Sequence, residues 1–89
     1  GMDARTLKTI RIRKRLFSDD AKNAMHKFNI DTIKISTILK SGDVDFWKSK
    51  QRQKPCAEYY VTGNKELKNI SLYISRCDST STIEKIIIN

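Results

Sequence analysis

Polar and apolar residues alternate along residues 8–15, and this period of two is typical of a β-strand. Ile10 and Ile12 would lie on the side of this strand that faces a core. The opposite side would carry three guanidinium groups, those of Arg11, Arg13 and Arg15.

Two short helices are predicted next. Ser18 precedes two aspartates, which is typical of a helix start because a capping oxygen and early acids suit the helix dipole. Apolar residues then recur at helical spacing, namely Ala21, Ala24, Met25 and Phe28. Asp31 would cap a second helix that ends at Gly42. Its buried face would consist of Ile35, Ile38 and Leu39.

The remaining chain is strand-like. Residues 44–48 open a strand or an extended arm. Trp47 is either a core residue or an exposed stacking residue, and we expect it in the core because the indole buries the larger area. Residues 56–62, 70–75 and 82–88 then alternate and are joined by short connections, which predicts an antiparallel meander. The expected fold is one α+β domain over residues 1–89. It would have an N-terminal strand, two short helices and a three- to four-stranded antiparallel meander with the helices packed on one face.

The meander should leave one face of the sheet open. If Tyr59, Val61 and their neighbours face the helices, a polar and aromatic set faces away: Glu58, Tyr60, Ser71, Tyr73 and Ser75. Such a surface is a suitable platform for single-stranded nucleic acid, through stacking and phosphate contacts.

Charge strengthens this interpretation. The chain carries a net charge of +8 on 89 residues. Two blocks contain no acid: Arg5, Lys8, Arg11, Arg13, Lys14 and Arg15, and then Lys48, Lys50, Arg52 and Lys54. These blocks suit a polyanion, because each neutralised phosphate releases counterions. A solubilising surface is the alternative.

Composition narrows the class of protein. Gly1 ahead of Met2 is interpreted as the remnant of a tag. We expect no membrane segment and a cytoplasmic location, because no apolar run is long enough for a span or a signal peptide. Cys56, Cys77 and His26 are too few and too scattered for a metal site, so no metal is predicted. The cysteines are expected as free thiols, with a disulfide between neighbouring strands as the alternative. No phosphate-binding loop or nucleophile elbow is present, so no cofactor is predicted.

Several of these short motifs resemble a bacterial group catalogued as domain of unknown function 4258, a relative of the RelE/ParE and BrnT toxin folds. That group often reads His-Ala, Arg-Met, Arg-Gly-Ile, a helix cap, Ile, Leu and Gly-Glu-Val. The matching positions here are Asp20-Ala21, Ala24-Met25, Phe28-Asn29-Ile30, Asp31, Ile35, Leu39 and Gly42-Asp43-Val44. Residues 55–63 and 83–88 resemble its first meander strand and its terminal strand. Asp20, Ala24 and Phe28 replace the His and the two arginines that the group often has.

The resemblance implies a metal-independent endoribonuclease acting on messenger RNA. This chemistry needs a group to activate a 2′-hydroxyl, a proton donor and cations around the phosphorane. The candidate catalytic residues are Glu58, Tyr60 and His26. The candidate nucleic-acid-binding residues are Arg11, Arg13, Arg15, Lys50, Arg52, Lys54, Tyr73 and Arg76.

Each candidate also has a structural interpretation. His26 is more typical of an exposed helical histidine than of a catalytic group, and Glu58 is more typical of a cross-strand charge partner than of a general base. Tyr60 and Tyr73 would also stabilise the sheet simply by packing on each other.

Two hypotheses about function therefore stand side by side. In the first, the chain is a RelE-like toxin that cleaves RNA and is silenced by an acidic antitoxin covering its basic face. In the second, it is a non-catalytic module that binds nucleic acid or protein and has kept the fold without the chemistry. The residue pattern does not choose between them, and it does not indicate an oligomeric state.

Overall fold

A computed structural model describes all 89 residues and consists of three α-helices on one side of a five-stranded sheet. The helices are α1 (Met2–Arg11), α2 (Asp19–Lys27) and α3 (Thr32–Ser41). The strands are β1 (Lys14–Phe17), β2 (Asp43–Lys50), β3 (Ala57–Thr62), β4 (Ile70–Arg76) and β5 (Thr80–Ile88), with a 3₁₀ turn at Lys65–Leu67. Their order in the sheet is β1-β5-β4-β3-β2. No helix is long and apolar enough to cross a membrane.

The N-terminal segment corrects the first prediction. The first half of the predicted strand, residues 8–11, belongs to α1, and only its last two residues lie in the short β1. Leu7 and Ile10 are three residues apart and share the buried side of this helix, whereas Ile12 is 68% exposed. The buried residues of this segment thus follow helical spacing from Leu7, and the apparent alternation of residues 8–15 did not come from a strand.

The helix pair confirms the capping signals. The Ser18 Oγ accepts the Ala21 N–H at 3.0 Å, and an Asp31 carboxylate oxygen accepts the Lys34 N–H at 2.9 Å. Gly42 ends α3 where the backbones come close, because a Cβ there would lie 2.6 Å from the Ile38 carbonyl oxygen. Phe28 departs from the prediction. It follows α2 and is 46% exposed instead of completing the buried stripe.

The sheet confirms the antiparallel strands and their faces. In the β3–β4 pairing, Tyr59 lies opposite Ile74 and Val61 opposite Leu72, and all four are buried beneath the helices. They join Ile35, Ile38 and Leu39 of α3, all buried, in one core. The sheet is not a pure meander, however, because β1 pairs in parallel with β5 and forms the edge opposite β2. This pairing joins distant parts of the chain, so no local pattern could reveal it.

Candidate nucleic-acid interface

The sheet face away from the helices carries the predicted polar and aromatic set. The β3–β4 register places Glu58 opposite Ser75 and Tyr60 opposite Tyr73, on the face that alternates with the buried residues. These four side chains are only partly buried. Ser71, the fifth residue of the predicted set, is instead fully buried, and its hydroxyl is hydrogen-bonded to Thr62 and Asn89. We call this surface, together with the adjoining part of β2, the open face.

Glu58 is the best-connected side chain of the open face. One of its carboxylate oxygens accepts the Tyr73 hydroxyl, and the other accepts the Gln53 amide at 3.0 Å. The Tyr73 hydrogen bond is the main reason that the pKa of Glu58 lies below its ordinary value, with smaller contributions from Gln53 and the charge of Lys50. The same hydrogen bond, with smaller contributions from partial burial and the charge of Glu58, raises the pKa of Tyr73 to about 12.

These shifts describe a poor acid–base pair at neutral pH. Glu58 is a carboxylate whose oxygens both accept hydrogen bonds, so it has little tendency to take a proton. Tyr73 holds its proton more tightly than an isolated tyrosine does. The arrangement suits a rigid, negatively charged hydrogen-bonding group better than a proton-transfer centre.

An irregularity in β2 presents Trp47 to solvent. Asp45 pairs with Tyr60 and Lys50 with Glu58, so the four residues 46–49 of β2 lie opposite Tyr59 alone. Phe46 packs against the core, whereas Trp47 is 98% exposed. The expectation that Trp47 fills the core was wrong. We call residues 45–50 the Trp47 bulge.

Hydrogen bonds fix the backbone of the Trp47 bulge. A carboxylate oxygen of Asp45 accepts the Trp47 N–H at 3.0 Å and the Lys48 N–H at 3.1 Å. The Ser49 hydroxyl donates to the Asp45 carbonyl at 2.7 Å and accepts the Tyr60 N–H at 3.0 Å, so it bridges β2 to β3. The indole is therefore mounted on an ordered backbone rather than on a free arm.

The Trp47 bulge and the loop after it carry several cations. The Lys48 ammonium lies 4.6 Å from the centre of the Tyr60 ring, a cation–π distance. Lys50 lies opposite Glu58 in the β2–β3 register, and the loop that follows carries the exposed Arg52 and Lys54. The second basic block of the sequence thus adjoins the open face.

The first basic block lies elsewhere, which corrects its assignment to the open face. Arg11 donates to the Leu39 carbonyl at 3.0 Å. Arg13 donates to the carbonyls of Cys77 at 2.7 Å, of Asp78 at 2.9 Å and of Thr9. These guanidinium groups connect backbone segments rather than forming a row on a strand.

Arg15 lies on the helix side of the sheet. In the parallel β1–β5 register it is the partner of the buried Ser81, and it donates to the Ser36 Oγ of α3 at 2.8 Å. Burial lowers the pKa of its guanidinium. The three arginines were expected to share one face of a single strand. They do not, because Arg11 ends α1, Arg13 lies between α1 and β1, and only Arg15 belongs to β1.

Two further candidates are also separated from the open face. Arg76 is the β4 partner of the buried Ala57, and its guanidinium lies 6.0 Å from the Tyr59 ring centre. His26 is exposed on α2, on the helix side of the sheet, and so it cannot act together with Glu58. The structure therefore brings together Glu58, Tyr60, Tyr73, Lys50, Arg52 and Lys54, and excludes Arg11, Arg13, Arg15, His26 and Arg76.

The two cysteines form a disulfide, so the prediction of free thiols was wrong. Cys56 and Cys77 have a Cα–Cα distance of 4.2 Å and flank the register pair of Ala57 and Arg76. The bond closes the end of the basic loop onto β4. Whether the two cysteines come close enough to bond depends on the register of β3 and β4, and local sequence patterns do not determine that register.

Sequence reasoning favoured a buried Trp47 and did not count Lys48 among the binding residues, although a signal for an exposed Trp47 was present. Val44 is buried, and Phe46 lies two residues further, on the same face of a strand. That alternation favours Phe46 for the core and leaves Trp47 outside. The greater area of the indole was given too much weight against the period of the strand.

Fold and site together define a small α+β domain with a helix-covered sheet and a cationic, aromatic open face. The model of the family described as Domain of unknown function (DUF4258) matches residues 17–88, and the chain belongs to this family. The predicted family is thereby confirmed. The match begins at Phe17 and so leaves out α1. No curated protein and no solved structure matches the chain.

Proposed function

We propose that this domain binds single-stranded nucleic acid on the open face and the Trp47 bulge, without cleaving it. The observation that carries the proposal is the indole of Trp47, 98% exposed on a hydrogen-bonded bulge next to Lys48 and Lys50. An exposed, well-positioned aromatic ring among cations is the usual combination in single-strand recognition.

The physical basis is stacking combined with counterion release. A base stacked on an aromatic side chain contributes about 1–3 kcal/mol, and each phosphate neutralised by a lysine adds a salt-dependent gain. Tyr60 offers a second ring on the open face, while Lys48, Lys50, Arg52 and Lys54 supply the charge. Asp45 and Ser49 hold the bulge before any ligand arrives, which reduces the entropy lost on binding.

The endoribonuclease of a toxin–antitoxin pair finds less support. Glu58 has a lowered pKa and two occupied oxygens, His26 lies on the other side of the sheet, and Arg76 packs on Tyr59. The RelE-like relationship and an acidic antitoxin over the basic surface stay predictions that rest on the resemblance alone.

Trp47 provides the test, because it is the only tryptophan of the chain. Titration with 12-nucleotide RNA or DNA oligomers should quench its fluorescence. Trp47→Ala should weaken binding of a labelled oligomer about 5- to 150-fold, which corresponds to about 1–3 kcal/mol of stacking. Ile33→Ala is the matched control, since Ile33 is also a largely exposed apolar residue but belongs to α3, on the helix side.

Salt dependence tests the lysines separately. Lys48→Gln with Lys50→Gln should reduce the slope of log K against log salt by about 1.4, or about 0.7 for each phosphate of a single strand that is no longer neutralised. The control pair, Lys22→Gln with Lys27→Gln on α2, removes the same charge from the helix side. It should reduce the slope of log K against log salt by less. Equal effects of both pairs, or an unquenched Trp47, would reject the proposed surface. Cleaved RNA in the mixture would favour the nuclease.

A further inference from the structure

A cleft opens at the end of the molecule where α2 meets α3. It has a volume of about 370 Å³ and lies between this junction, the 3₁₀ turn and the end of β5. Five of its eight lining residues are apolar: Phe28, Ile30, Leu67, Ile70 and Ile88. None of them belongs to the open face or to the Trp47 bulge.

Exposed apolar side chains occur in the lining of the cleft and next to it in the chain. Phe28 is 46% exposed and Ile88 is 39% exposed, and both line the cleft. Ile33 is 73% exposed and immediately precedes Lys34, another lining residue, in the first turn of α3. A single exposed apolar residue is ordinary, but several around one depression mark an interaction surface.

Lysines predominate around this surface. Lys34 lines the cleft, and the Lys27 ammonium lies 5.4 Å from the ring centre of Phe28. Lys65 and Lys68 flank the lining residues Glu66 and Leu67 in the chain. Glu66 is the only acid of the lining, and the exposed Asp31 lies between the lining residues Ile30 and Lys34 in the chain. Four lysines against these two acids leave positive charge in excess, so a complementary partner is apolar in the middle and negative at its margins.

We infer that the cleft docks an amphipathic helix of a partner protein, with apolar residues on one face and acids beside them. An apolar helix face in a groove, with anchors at i, i+3, i+4 and i+7, is a recurrent recognition mode. Salt-dependent pairing with Lys27 and Lys34 would orient the helix and speed its association.

Two other occupants fit less well. A second copy of the chain carries the same lysines and the same net charge of +8, so a symmetric contact here would bring like charges together. A small apolar ligand would fill the depression but would leave Ile33 uncovered outside it. A helix of 16 residues is about 24 Å long and so can reach beyond the depression itself.

The docked helix and the nucleic acid would not compete. The cleft adjoins Ile70 at the start of β4, on the helix side, whereas the Trp47 bulge lies along β3 between Glu58 and Tyr60. The inference is therefore independent of the proposed nucleic-acid binding, and either can fail alone.

The test uses the whole chain as bait for a displayed library of 16-residue helices with a fixed apolar stripe and randomised flanks. Selection should enrich aspartate and glutamate in the flanks. The affinity of the recovered peptide should fall at least 10-fold with Ile33→Ser and with Lys34→Glu. Ile33 is so exposed that its replacement should not unfold the domain. Ile12→Ser and Lys40→Glu are the matched controls, since both residues are exposed away from the cleft.

Three outcomes would overturn the inference. The library yields no binder, or it yields binders without acidic flanks, or the recovered acidic peptide ignores Ile33→Ser and instead loses affinity with Lys48→Gln and Lys50→Gln. The last result would mean that the peptide merely occupies the basic open face. Binding of oligonucleotides is measured on the same variants, so the two surfaces are scored separately.

Discussion

The hydrogen bond between Tyr73 and Glu58 is a diagonal contact of the sheet. The residues directly opposite each other are Glu58 with Ser75 and Tyr60 with Tyr73. The Tyr73 hydroxyl therefore contacts a residue two positions along β3 from its direct partner. Long side chains cover such diagonal distances, and Gln53 reaches the same carboxylate from the loop. The residue types on the open face were predictable from alternation, but this contact depends on the register.

The pH dependence of the Glu58–Tyr73 pair follows from the two pKa shifts. Because the pKa of Glu58 is lowered, its contribution to stability is present above its ordinary value of 4.5 and is lost as the pH falls through the folded-state value. Because the pKa of Tyr73 is raised, its contribution is present below 10.0 and is lost as the pH rises toward about 12.

Tyr73→Phe should therefore return the pKa of Glu58 toward its ordinary value, as measured by NMR titration of the carboxyl carbon. The variant should also lack the phenol that titrates near 12 in an alkaline absorbance titration. Tyr60→Phe is the control, because Tyr60 does not contact Glu58 through its hydroxyl in this way. An unchanged Glu58 titration in Tyr73→Phe would contradict the assigned hydrogen bond.

Arg13 yields a prediction about stability. Its guanidinium donates to carbonyls of α1 and of the β4–β5 turn, so Arg13→Gln should lower the free energy of unfolding by about 1.5–3 kcal/mol. Urea denaturation measures this loss. Arg5→Gln removes an exposed charge from α1 and should lower the free energy of unfolding by less than about 0.5 kcal/mol. Equal, small losses would mean that these carbonyls do not depend on Arg13.

At the scale of elements, the sequence patterns predicted helices and strands correctly wherever a pattern was compatible with only one type of element. The Ser18 and Asp31 caps, the buried stripe of α3 and the alternation of β3 and β4 were all predicted correctly. The first element failed because a short apolar alternation fits both a strand and the flank of a helix. The Trp47 bulge was missed because it breaks the period of two on which strand prediction depends.

The disulfide is an element-scale constraint. It closes a loop with a sequence separation of 21, which in the chain-entropy account stabilises the fold by about 3 kcal/mol. Cys56→Ser with Cys77→Ser should lower the free energy of unfolding by that amount, and dithiothreitol should produce the same loss in the unaltered chain. Serine at both positions avoids an unpaired thiol. A melting temperature that does not respond to reductant would show that the bond contributes little.

At the scale of the molecule, the predicted layers were correct and the predicted charge distribution was half correct. The second basic block adjoins the open face, whereas the arginines of the first connect α1 and β1 to their neighbours. Sequence shows how many charges a segment has. Whether a guanidinium meets solvent or a backbone carbonyl depends on long-range packing, such as α1 against α3. The cleft between α2, α3 and β5 was likewise beyond local patterns.

The position of β5 in the sheet has a consequence for the order of folding. β5 is the final strand of the chain, yet it lies between β4 and β1, and it is the only strand with which β1 pairs. During synthesis on a ribosome, β1 emerges early and has no strand to join until residues 80–88 have left the exit tunnel. Until then the apolar side of α1, with Leu7 and Ile10, lacks part of its cover. We therefore expect α1 to reach its full burial only after β5 has been synthesised.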